Sequence, residues 1–596
     1  MVQRKKRKKS VRKKLSPEEK AQRLEQKNQI KEIRTIMKNM GFTRLPYIDG
    51  KSFVYNDRTS EIDDIFINEN VILITEYTIG NPGGHLLKKK VFYDKIYADH
   101  RAFIEFLSNE EKLPSFMEYY KSNISGIYSK NELKVQVLYC SKKTISTEHK
   151  KQFVDSVIFF DYHIVQYFKS VTKAIKKSSK YEFMEFIQIP FSEFGSNIKD
   201  SSSSSHQTFE GNILPEEKSK FEEGYKIISF YIDAGSLLRR SYVLRKNGWK
   251  DLENIGHYQR MLESPKISSM RRYLYERDRV FINNIIATIS TDKISLFDKD
   301  SNALTLGEDG QFTSENSTQV LPAKIRIDDS ANIIGLIDGQ HRTYAYHEAD
   351  DQYEEKISGL REVQNLLVTG ILFPKNESKQ KRLEFEANLF LEINANQKNV
   401  PSNIRQEIEL MINPFSSTSI GKRIVYKLNE SGPLSDLIEL YWYEKNKLKT
   451  ASIVSYGLIP LVKIEDIKSK DSLFSIWKNS DREKLKSKDI SDSALLDKYI
   501  DFLVTEIRII LIVFKEKLSN DKWRTYSPSS KEGLLTVSFI NGVLNVLRLL
   551  VENEQKTLDI DSYRNKLANI DDYDFKKFKS SQYRKLGEDI YDKYFK

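Results

Sequence analysis

Five consecutive serines at positions 201–205 mark the place where the hydrophobic patterning of this chain breaks down. Between residues 194 and 223, polar residues, glycine and proline replace the periodic apolar positions that helices and strands need. A chain of 596 residues is also too long for a single hydrophobic core. We therefore predict a linker at 194–223 that separates folded domains.

The regions on both sides of this linker combine strand and helix patterns. Residues 23–193 alternate short β-prone runs with helical periodicity, and residues 224–412 do the same. Residues 413–596 show mostly helical periodicity. The sequence therefore predicts an α/β (α+β) multidomain protein with a helical C-terminal domain.

The first 22 residues are predicted to form a basic, disordered arm. The formal net charge of the chain is +12, and nine basic residues and no acid lie within residues 1–14. A block of like charge cannot bury a core, and it is attracted to polyanions. We expect salt-sensitive contact with nucleic acid, and a solubilising tail is the alternative. The basic residues expected to make this contact are Arg4, Lys5, Lys6, Arg7, Lys8 and Lys9.

The composition favours a reducing compartment. Cys140 is the only cysteine, so the chain can form neither an internal disulfide nor a cysteine-based zinc site. The N-terminus is charged with no apolar stretch behind it, and the most apolar runs are interrupted by charged or polar residues. We expect a cytoplasmic protein without membrane association. The oligomeric state stays open, and an oligomer is compatible with the sequence.

Acidic residues lie at both ends of a predicted β-hairpin in the first domain. Residues 61–67 and 71–76 are typical of two strands joined by a short polar turn. Because the ends of antiparallel strands meet, Asp63 or Asp64 could share a divalent cation, Mg²⁺ or Mn²⁺, with Glu76. Such a site would activate water against a phosphodiester. Acids that only solvate the ends of the hairpin are the alternative.

The order of these acids resembles the core of restriction endonucleases, whose pattern is an aspartate, then a glutamate, one spacer residue and a lysine. Thr78 occupies the position of that lysine here. The lysine helps to position the attacking water and to stabilise the charged transition state. Lys88, Lys89 or Lys90 from the next helical segment could reach the same point. Otherwise the domain would bind DNA without cutting it, or would have an unrelated α/β fold.

The central region contains a predicted strand–turn–helix junction. Residues 332–337 form an apolar run typical of a strand, Asp338-Gly339 is a tight-turn dipeptide, and residues 341–349 have the composition of a helix. The first N–H groups of a helix have no partner within the helix, and they bind anions. Gly339 would let a ligand approach the backbone closely. The junction is therefore a candidate phosphate site.

The side chains of this junction suit the same chemistry. Arg342 offers a planar, permanently charged group that matches phosphate. His341 can exchange protons near neutral pH, and Asp338 could hold a metal or orient the histidine. A structural turn with a surface arginine is the alternative.

Residues 338–342, Asp-Gly-Gln-His-Arg, are the complete signature of the DGQHR family, and residues 339–345 match the glycine, arginine and alanine spacing of ParB-like domains. The chain resembles this family, which includes DndB-like regulators of DNA sulfur modification. The resemblance covers residues 224–410, and residues 258–284 resemble the family's opening helix and strand. It implies a ParB-like fold whose turn holds nucleotide phosphates. The residues that it implies are Gly339, Gln340 and Arg342 for binding, and Asp338, His341 and Arg342 for catalysis.

A second block of the same family follows the motif. Residues 393–401 resemble the asparagine-rich segment of DGQHR proteins, after a predicted helix over residues 384–393. Asn394, Asn396 and Gln397 can each donate and accept hydrogen bonds, which suits a nucleobase, a sugar or a phosphate. A helix end followed by a turn is the alternative.

Together these residues predict a DNA-associated component of a bacterial DNA-modification or defence system. It would bind DNA phosphate or a nucleoside triphosphate such as ATP at the DGQHR site, and hydrolysis of that nucleotide is an extension of this hypothesis. A metal-dependent DNA endonuclease is the first alternative. A non-enzymatic regulator or scaffold, with DNA-modification enzymes as partners, is the second. Function resides in the site and not in the fold, so these hypotheses differ only in what the sites do.

Overall fold

The computed structural model describes residues 16–143, 145–153, 155–195, 198, 206–214, 221–243, 262–312, 319–395, 401–441, 444–464, 470–526 and 533–596. These residues divide into two compact units, the first ending at Glu377 and the second spanning Ser378–Lys596. Both helices and sheets are present, which confirms the mixed α/β class. The second unit begins earlier than the expected boundary at residue 412, and the two domains expected before that boundary lie in one unit.

The strands of the first unit are β1 (Thr43–Arg44), β2 (Ser52–Tyr55), β3 (Arg58–Glu61), β4 (Asp64–Asn68), β5 (Val71–Thr78), β6 (Lys134–Ser141), β7 (Ile158–Asp161), β8 (His206–Ile213), β9 (Lys226–Asp233), β10 (Ser241–Val243), β11 (Ile285–Ile289), β12 (Ile294–Asp298), β13 (Ala303–Leu304), β14 (Leu321–Asp328), β15 (Ile334–Asp338) and β16 (Asn365–Leu372). Its α-helices are α1 (Pro17–Asn39), α2 (Pro82–Ala98), α3 (His100–Asn109), α4 (Pro114–Asn123), α5 (Thr147–Lys151), α6 (Tyr162–Ile175), α7 (Lys180–Phe186), α8 (Ala234–Arg240), α9 (Ser264–Arg277), α10 (Gln340–Tyr344) and α11 (Glu354–Val363).

Helix α1 begins with a capping box. The Ser16 hydroxyl accepts a hydrogen bond from the Glu19 N–H, the Glu19 carboxylate accepts one from the Ser16 N–H, and Pro17 occupies the first turn. This capping box satisfies two backbone donors that the helix leaves free. The arm predicted over residues 1–22 is therefore helical from residue 17 onward. Its basic cluster, residues 4–9, lies outside the described residues.

Five strands of the described chain form the N-terminal sheet, in the order β1-β4-β5-β6-β7. Strands β4 and β5 pair antiparallel as the predicted hairpin, with Asp64 opposite Thr75, so that prediction is confirmed. Strands β5, β6 and β7 then run parallel, and helices α2, α3 and α4 form the connection from β5 to β6. Parallel neighbours need such a crossover because their ends lie at opposite edges of the sheet.

Helix α1 and helix α2 cover opposite faces of this sheet. On one face, the amide of Gln29 in α1 donates hydrogen bonds to the carbonyl oxygens of Thr78 and Cys140. On the other face, α2 approaches the side chain of Glu76 through Lys89. Side chains alternate between the faces of a strand, so neighbouring residues of β5 are separated by the full thickness of the sheet.

A second, larger sheet has nine strands within the described part of the chain, in the order β10-β15-β11-β16-β9-β8-β14-β12-β13. Strand β8 lies inside the segment predicted to be a linker, so that prediction is wrong over residues 206–213. Gly211 shows why, since a Cβ atom at this position would lie 2.3 Å from the carbonyl oxygen of Ser229. Glycine at this position suggests a loop in the sequence, but in the structure its missing side chain allows the backbone of β9 to approach closely.

The second unit is mainly helical, as its periodicity predicts. Its α-helices are α12 (Lys379–Ala395), α13 (Ser402–Ile412), α14 (Ser417–Glu430), α15 (Thr450–Ser452), α16 (Ile459–Val462), α17 (Ser493–Lys517), α18 (Val537–Glu554), α19 (Ile560–Lys566) and α20 (Tyr583–Tyr594), and its short strands are β17 (Ile438–Glu439) and β18 (Leu448–Lys449). The apolar faces of α14, α17 and α18 meet in one buried core that includes Ile424, Leu511 and Leu547. Among the described helices, none combines the length and the apolar character needed to cross a membrane.

Candidate functional site

The hairpin of β4 and β5 brings two of the predicted acids together. Asp63 immediately precedes β4, and the register of the hairpin places it opposite Glu76. One carboxylate oxygen of Asp63 accepts a hydrogen bond of 2.8 Å from the backbone N–H of Tyr77, which fixes the aspartate at the end of β5. The sequence therefore predicted the approach of Asp63 and Glu76 correctly.

A lysine from the following helix completes this site. The Lys89 ammonium donates to Glu76 Oε2 at 2.5 Å and to the carbonyl oxygen of Glu61 at 2.9 Å. Lys89 is one of the three lysines expected to replace the one missing at Thr78. Helix α2 crosses the face of the sheet that Glu76 occupies. Lys89 on this helix therefore places a positive charge beside Glu76, although β5 has Thr78 at the position expected for a lysine.

The buried position of Glu76 controls its charge. Only 1% of this residue is exposed, and burial raises the pKa of its carboxyl to about 8, with the Asp63 carboxylate adding to the rise and Lys89 opposing it. Burial also raises the pKa of Asp63. Glu76 Oε1 has no hydrogen-bond partner in the described chain. Glu76 Oε1 is therefore a buried oxygen whose hydrogen-bonding capacity is not used within the described chain.

Asp64 does not belong to this site. Its carboxylate is fully buried and accepts hydrogen bonds from Arg34 at 2.7 Å, from Arg44 at 2.6 Å and from the Tyr77 hydroxyl at 2.7 Å. Asp64 and Asp63 are successive residues and therefore point to opposite faces. The expectation that Asp64 could act as a metal ligand is thus corrected: it joins α1 and β1 to the sheet.

His85 and Tyr139 are neighbours of the acids that the sequence interpretation missed. Tyr139 is paired with Glu76 across β5 and β6, and its hydroxyl lies 3.0 Å from His85 Nδ1. Burial lowers the pKa of His85, and Lys89 and Lys88 add to this effect. The spacing of His85 and Lys89, four residues apart on one helix, is the signal that could have identified this histidine.

The DGQHR junction is a strand, a turn and a short helix. Strand β15 ends at Asp338, Gly339 has φ +91°, and α10 begins at Gln340 and ends at Tyr344. A Cβ atom at Gly339 would lie 2.4 Å from Ile285 Cδ1, so the turn needs glycine for its conformation and for its packing. Helix α10 is also shorter than the helix predicted over residues 341–349, since its five residues make about one and a half turns.

Arg342 lies largely inside the protein. Its side chain is 18% exposed, and its Nη2 donates to the carbonyl oxygen of Asn284 at 2.8 Å and to Asp338 Oδ2 at 3.1 Å. The predicted role of Asp338 in orienting the histidine is not what the geometry shows, since its carboxylate binds the arginine. His341 Nε2 accepts a hydrogen bond of 3.3 Å from the Glu263 N–H.

Several buried polar atoms at this junction lack a hydrogen-bond partner among the described residues. They are both amide atoms of Gln340, which is 1% exposed, the hydroxyl of Thr343, which is fully buried, and Nε of Arg342. Buried polar atoms are normally paired with protein, water or ligand. Gln340, Arg342 and Thr343 therefore carry hydrogen-bonding atoms that are not used within the described chain.

The segment after α10 is held by a buried arginine from α9. Arg271 donates from Nη1 to the carbonyl oxygens of Ala345 and His347, and from Nε to Asp351 at 2.7 Å. These carbonyl groups would otherwise accept hydrogen bonds from a continuing helix. Arg271 therefore explains why α10 is shorter than its composition predicts.

The second predicted block is described only in part. Asn394 lies in the last turn of α12, and its side chain is outside the described atoms. Asn396 and Gln397 lie outside the described residues altogether, as does the whole segment 244–261 that precedes α9. Residues 279–284, for which the resemblance implies a strand, do not form a strand, and β11 begins at Ile285.

Comparisons of the chain with protein-family models, with curated proteins and with solved structures find no match. The resemblance to DGQHR proteins and the resemblance to restriction endonucleases therefore stay predictions that depend on the quoted residues.

Proposed function

We propose that the N-terminal sheet carries a metal-dependent phosphodiesterase that cuts DNA. The observation that carries this proposal is the 2.5 Å contact of Lys89 with Glu76, next to Asp63. Two acids and a lysine from three separate segments meet at one end of the hairpin. Acids that only solvated the hairpin would be exposed, whereas Glu76 is buried despite the free energy required to bury a carboxyl group whose oxygens are not all paired.

The residues present fit a divalent cation. Mg²⁺ and Mn²⁺ prefer oxygen ligands, and Mg²⁺ is often held by one or two carboxylates together with substrate phosphate and water. Asp63 and Glu76 supply two carboxylates, and Glu76 Oε1 is free to bind. No group of three or more His, Cys, Asp and Glu side chains within the described residues is placed to share a metal. A site completed by the phosphate of the substrate meets both observations.

Each residue of the proposed site has a distinct role. Asp63 and Glu76 would hold the ion, which when bound lowers the pKa of a coordinated water and neutralises phosphate charge. Lys89 places a positive charge next to Glu76, where it would stabilise negative charge that develops on the phosphate. The Asp64 cluster on the opposite face fixes the hairpin, so the two acids keep their separation when substrate binds.

Nicking of supercoiled plasmid tests the proposal. The wild-type chain should nick DNA with Mg²⁺ or Mn²⁺ but not with a chelator present, and Glu76→Gln should remove the activity. Glu111→Gln, which changes an exposed carboxylate in the loop before α4, is the matched control and should leave it intact. Substrates should include sulfur-modified and unmodified DNA. If neither is nicked under any of these conditions, the nuclease assignment is lost.

A second candidate function is binding of nucleotide or DNA phosphate at the DGQHR junction. The free polar atoms of Gln340, Arg342 and Thr343 favour it. The low exposure of Arg342 means that its guanidinium would have to leave Asp338 to bind phosphate directly. A ligand held by Gln340 and the backbone beside Gly339 would not require that movement.

Nucleotide turnover and binding, with and without DNA, test this second candidate. Arg342→Ala and Gln340→Ala should each weaken binding of a fluorescent ATP analogue at least tenfold, whereas Arg272→Ala on the exposed side of α9 should not. Unchanged binding in both variants would remove the candidate. A chain that neither nicks DNA nor binds nucleotide, yet binds a DNA-modification enzyme, would be a regulator or scaffold.

A further inference from the structure

A small hairpin beside the acids forms a cavity with α2. Strands β2 and β3 pair with each other through a two-residue turn in which Asn56 and Asp57 both have positive φ. This turn type matches the twist of a tight hairpin. The cavity between the hairpin and α2 has a volume of about 340 Å³.

The hairpin is a rigid wall of this cavity. The ring of Phe53 lies 5.9 Å from that of Phe92 in α2, and the ring of Tyr55 lies 5.1 Å from that of Phe103 in α3. Aromatic contacts of this kind stabilise a fold beyond the burial of apolar area alone. These ring contacts hold the hairpin against α2 and α3.

The lining of the cavity is rich in hydrogen-bond donors. Its hydroxyl groups come from Ser52, Thr59 and Ser60, and its cations are Arg58, Lys88 and Lys89. Lys89 is the lysine that binds Glu76, so the cavity opens directly beside the proposed catalytic acids. The exposed carboxylate of Glu61 is the one acid in this lining.

Two of these cations are free. Arg58 and Lys88 are both exposed, and neither has an ion-pair or hydrogen-bond partner for its side chain among the described residues. Charged side chains on a protein surface commonly pair with neighbours, as Lys90 does with Asp94 one turn further along α2. Two cations without ion-pair partners that line one cavity together with three hydroxyl groups favour an anionic ligand.

From this arrangement we infer that the cavity between β2–β3 and α2 is a subsite for a backbone phosphate of a nucleic-acid strand, bound by Arg58 and Lys88. The inference rests on the proposed function for the identity of the strand as the substrate. We expect binding here to be independent of sequence, because contacts to backbone phosphate carry no direct sequence information.

The salt dependence of binding tests this inference without cleavage. Binding of a labelled oligonucleotide is measured by anisotropy at several salt concentrations, in the full chain carrying Glu76→Gln. Adding Arg58→Ala and Lys88→Ala should reduce the slope of log K against log salt by roughly 0.7 for a single-stranded oligonucleotide or 0.9 for a duplex, since one phosphate contact contributes about that much.

A matched pair of substitutions controls for the loss of charge. Lys27→Ala and Lys31→Ala remove two exposed cations from α1, on the opposite face of the N-terminal sheet, and should leave the slope unchanged. Acylation of lysines followed by mass spectrometry gives a second readout, in which oligonucleotide should protect Lys88 at least threefold and Lys27 not at all. Equal slopes for both pairs, or an unprotected Lys88, would overturn the inference. A wild-type chain without nicking activity would instead count against the proposed function.

Discussion

Asp63 and Asp64 are adjacent in the chain, but their carboxylates serve opposite faces of the same sheet. Asp63 lies with Glu76 on the face covered by α2, and Asp64 lies with Arg34 and Arg44 on the face covered by α1. A pair of acids that looks equivalent in the sequence is therefore divided between the proposed catalytic site and a structural cluster of ion pairs. This division makes the two positions separable by mutation.

Substitution of Lys89 should reduce catalysis without disturbing the fold. For Lys89→Met we expect the kcat of nicking to fall about 100-fold, because the loss of one group that stabilises transition-state charge has effects of this size. Lys90→Met is the control, since Lys90 pairs only with Asp94 among the described carboxylates and should keep full activity. Equal kcat values of nicking for the two variants would show that Lys89 has no role in catalysis.

Glu76 should make the protein less stable as the pH rises. Its pKa is about 8 in the folded chain and near 4.5 when unfolded, so between these values the folded state holds a proton that the unfolded state has released. The free energy of unfolding must then decrease with rising pH over that window, by about 1.4 kcal/mol per unit for a single group. Glu76→Gln should remove this slope.

Thermal unfolding measures the effect of Glu76 directly. The melting temperature of Glu76→Gln should exceed that of the wild type at pH 8.5 and should match it at pH 5, because glutamine keeps an acceptor for Lys89 without the buried charge. An inactive variant that is more stable than the wild type is expected of a catalytic group held at the expense of stability. Parallel pH profiles for both proteins would contradict the assignment.

Asp64→Asn should destabilise the first unit. The substitution removes the charge that two arginines and a tyrosine share, and it leaves Arg34 and Arg44 without their common partner. We expect a loss of about 3 kcal/mol in the free energy of unfolding, measured by urea titration. Asp94→Asn, at an exposed ion pair on α2, should change the same quantity by less than about 0.5 kcal/mol.

Gln340→Met should separate a ligand site from a packing defect. Methionine replaces two buried, unpaired amide atoms with apolar ones, so the free chain should gain about 1–3 kcal/mol in stability. If the junction binds nucleotide, the rise in melting temperature caused by ATP should also disappear. Gln364→Met is the contrast: Gln364 accepts a hydrogen bond of 2.6 Å from Tyr346, and its loss should destabilise.

The local elements of the N-terminal site were predictable because short-range rules determine them. The hairpin of β4 and β5 depends on two apolar runs and the short polar turn between them. The replacement lysine could be narrowed to three candidates, since a helix follows the strand directly. Which of the three reaches Glu76 depends on the rotation of α2 over the sheet, and that is a property of packing.

The partners of Asp64 and Arg342 could not be predicted for a related reason. Arg34 precedes Asp64 by 30 residues, and Asn284 precedes Arg342 by 58. Contacts over such distances follow from the tertiary fold and leave no local pattern. The same holds for Arg271, which donates hydrogen bonds to the carbonyl oxygens of Ala345 and His347. These bonds end helix α10 before the point that its local composition predicts.

Strand β8 was missed because its composition is polar. Only Phe209 and Ile213 are buried along its length, and Gly211 suggests a loop. Its place in the sheet is set by backbone pairing with β14 over all eight residues and by the close approach of β9 at the glycine. Pairing of this kind needs no apolar pattern.

The position of β8 also determines where a truncated version of the protein can begin. This strand joins β9 to β14, so a fragment that starts at residue 224 would split the large sheet and leave two bare backbone edges in its middle. Unpaired edges of this kind recruit strands from other molecules and lead to aggregation. Truncated versions of the central region therefore have to begin upstream of His206, within or before the serine tract.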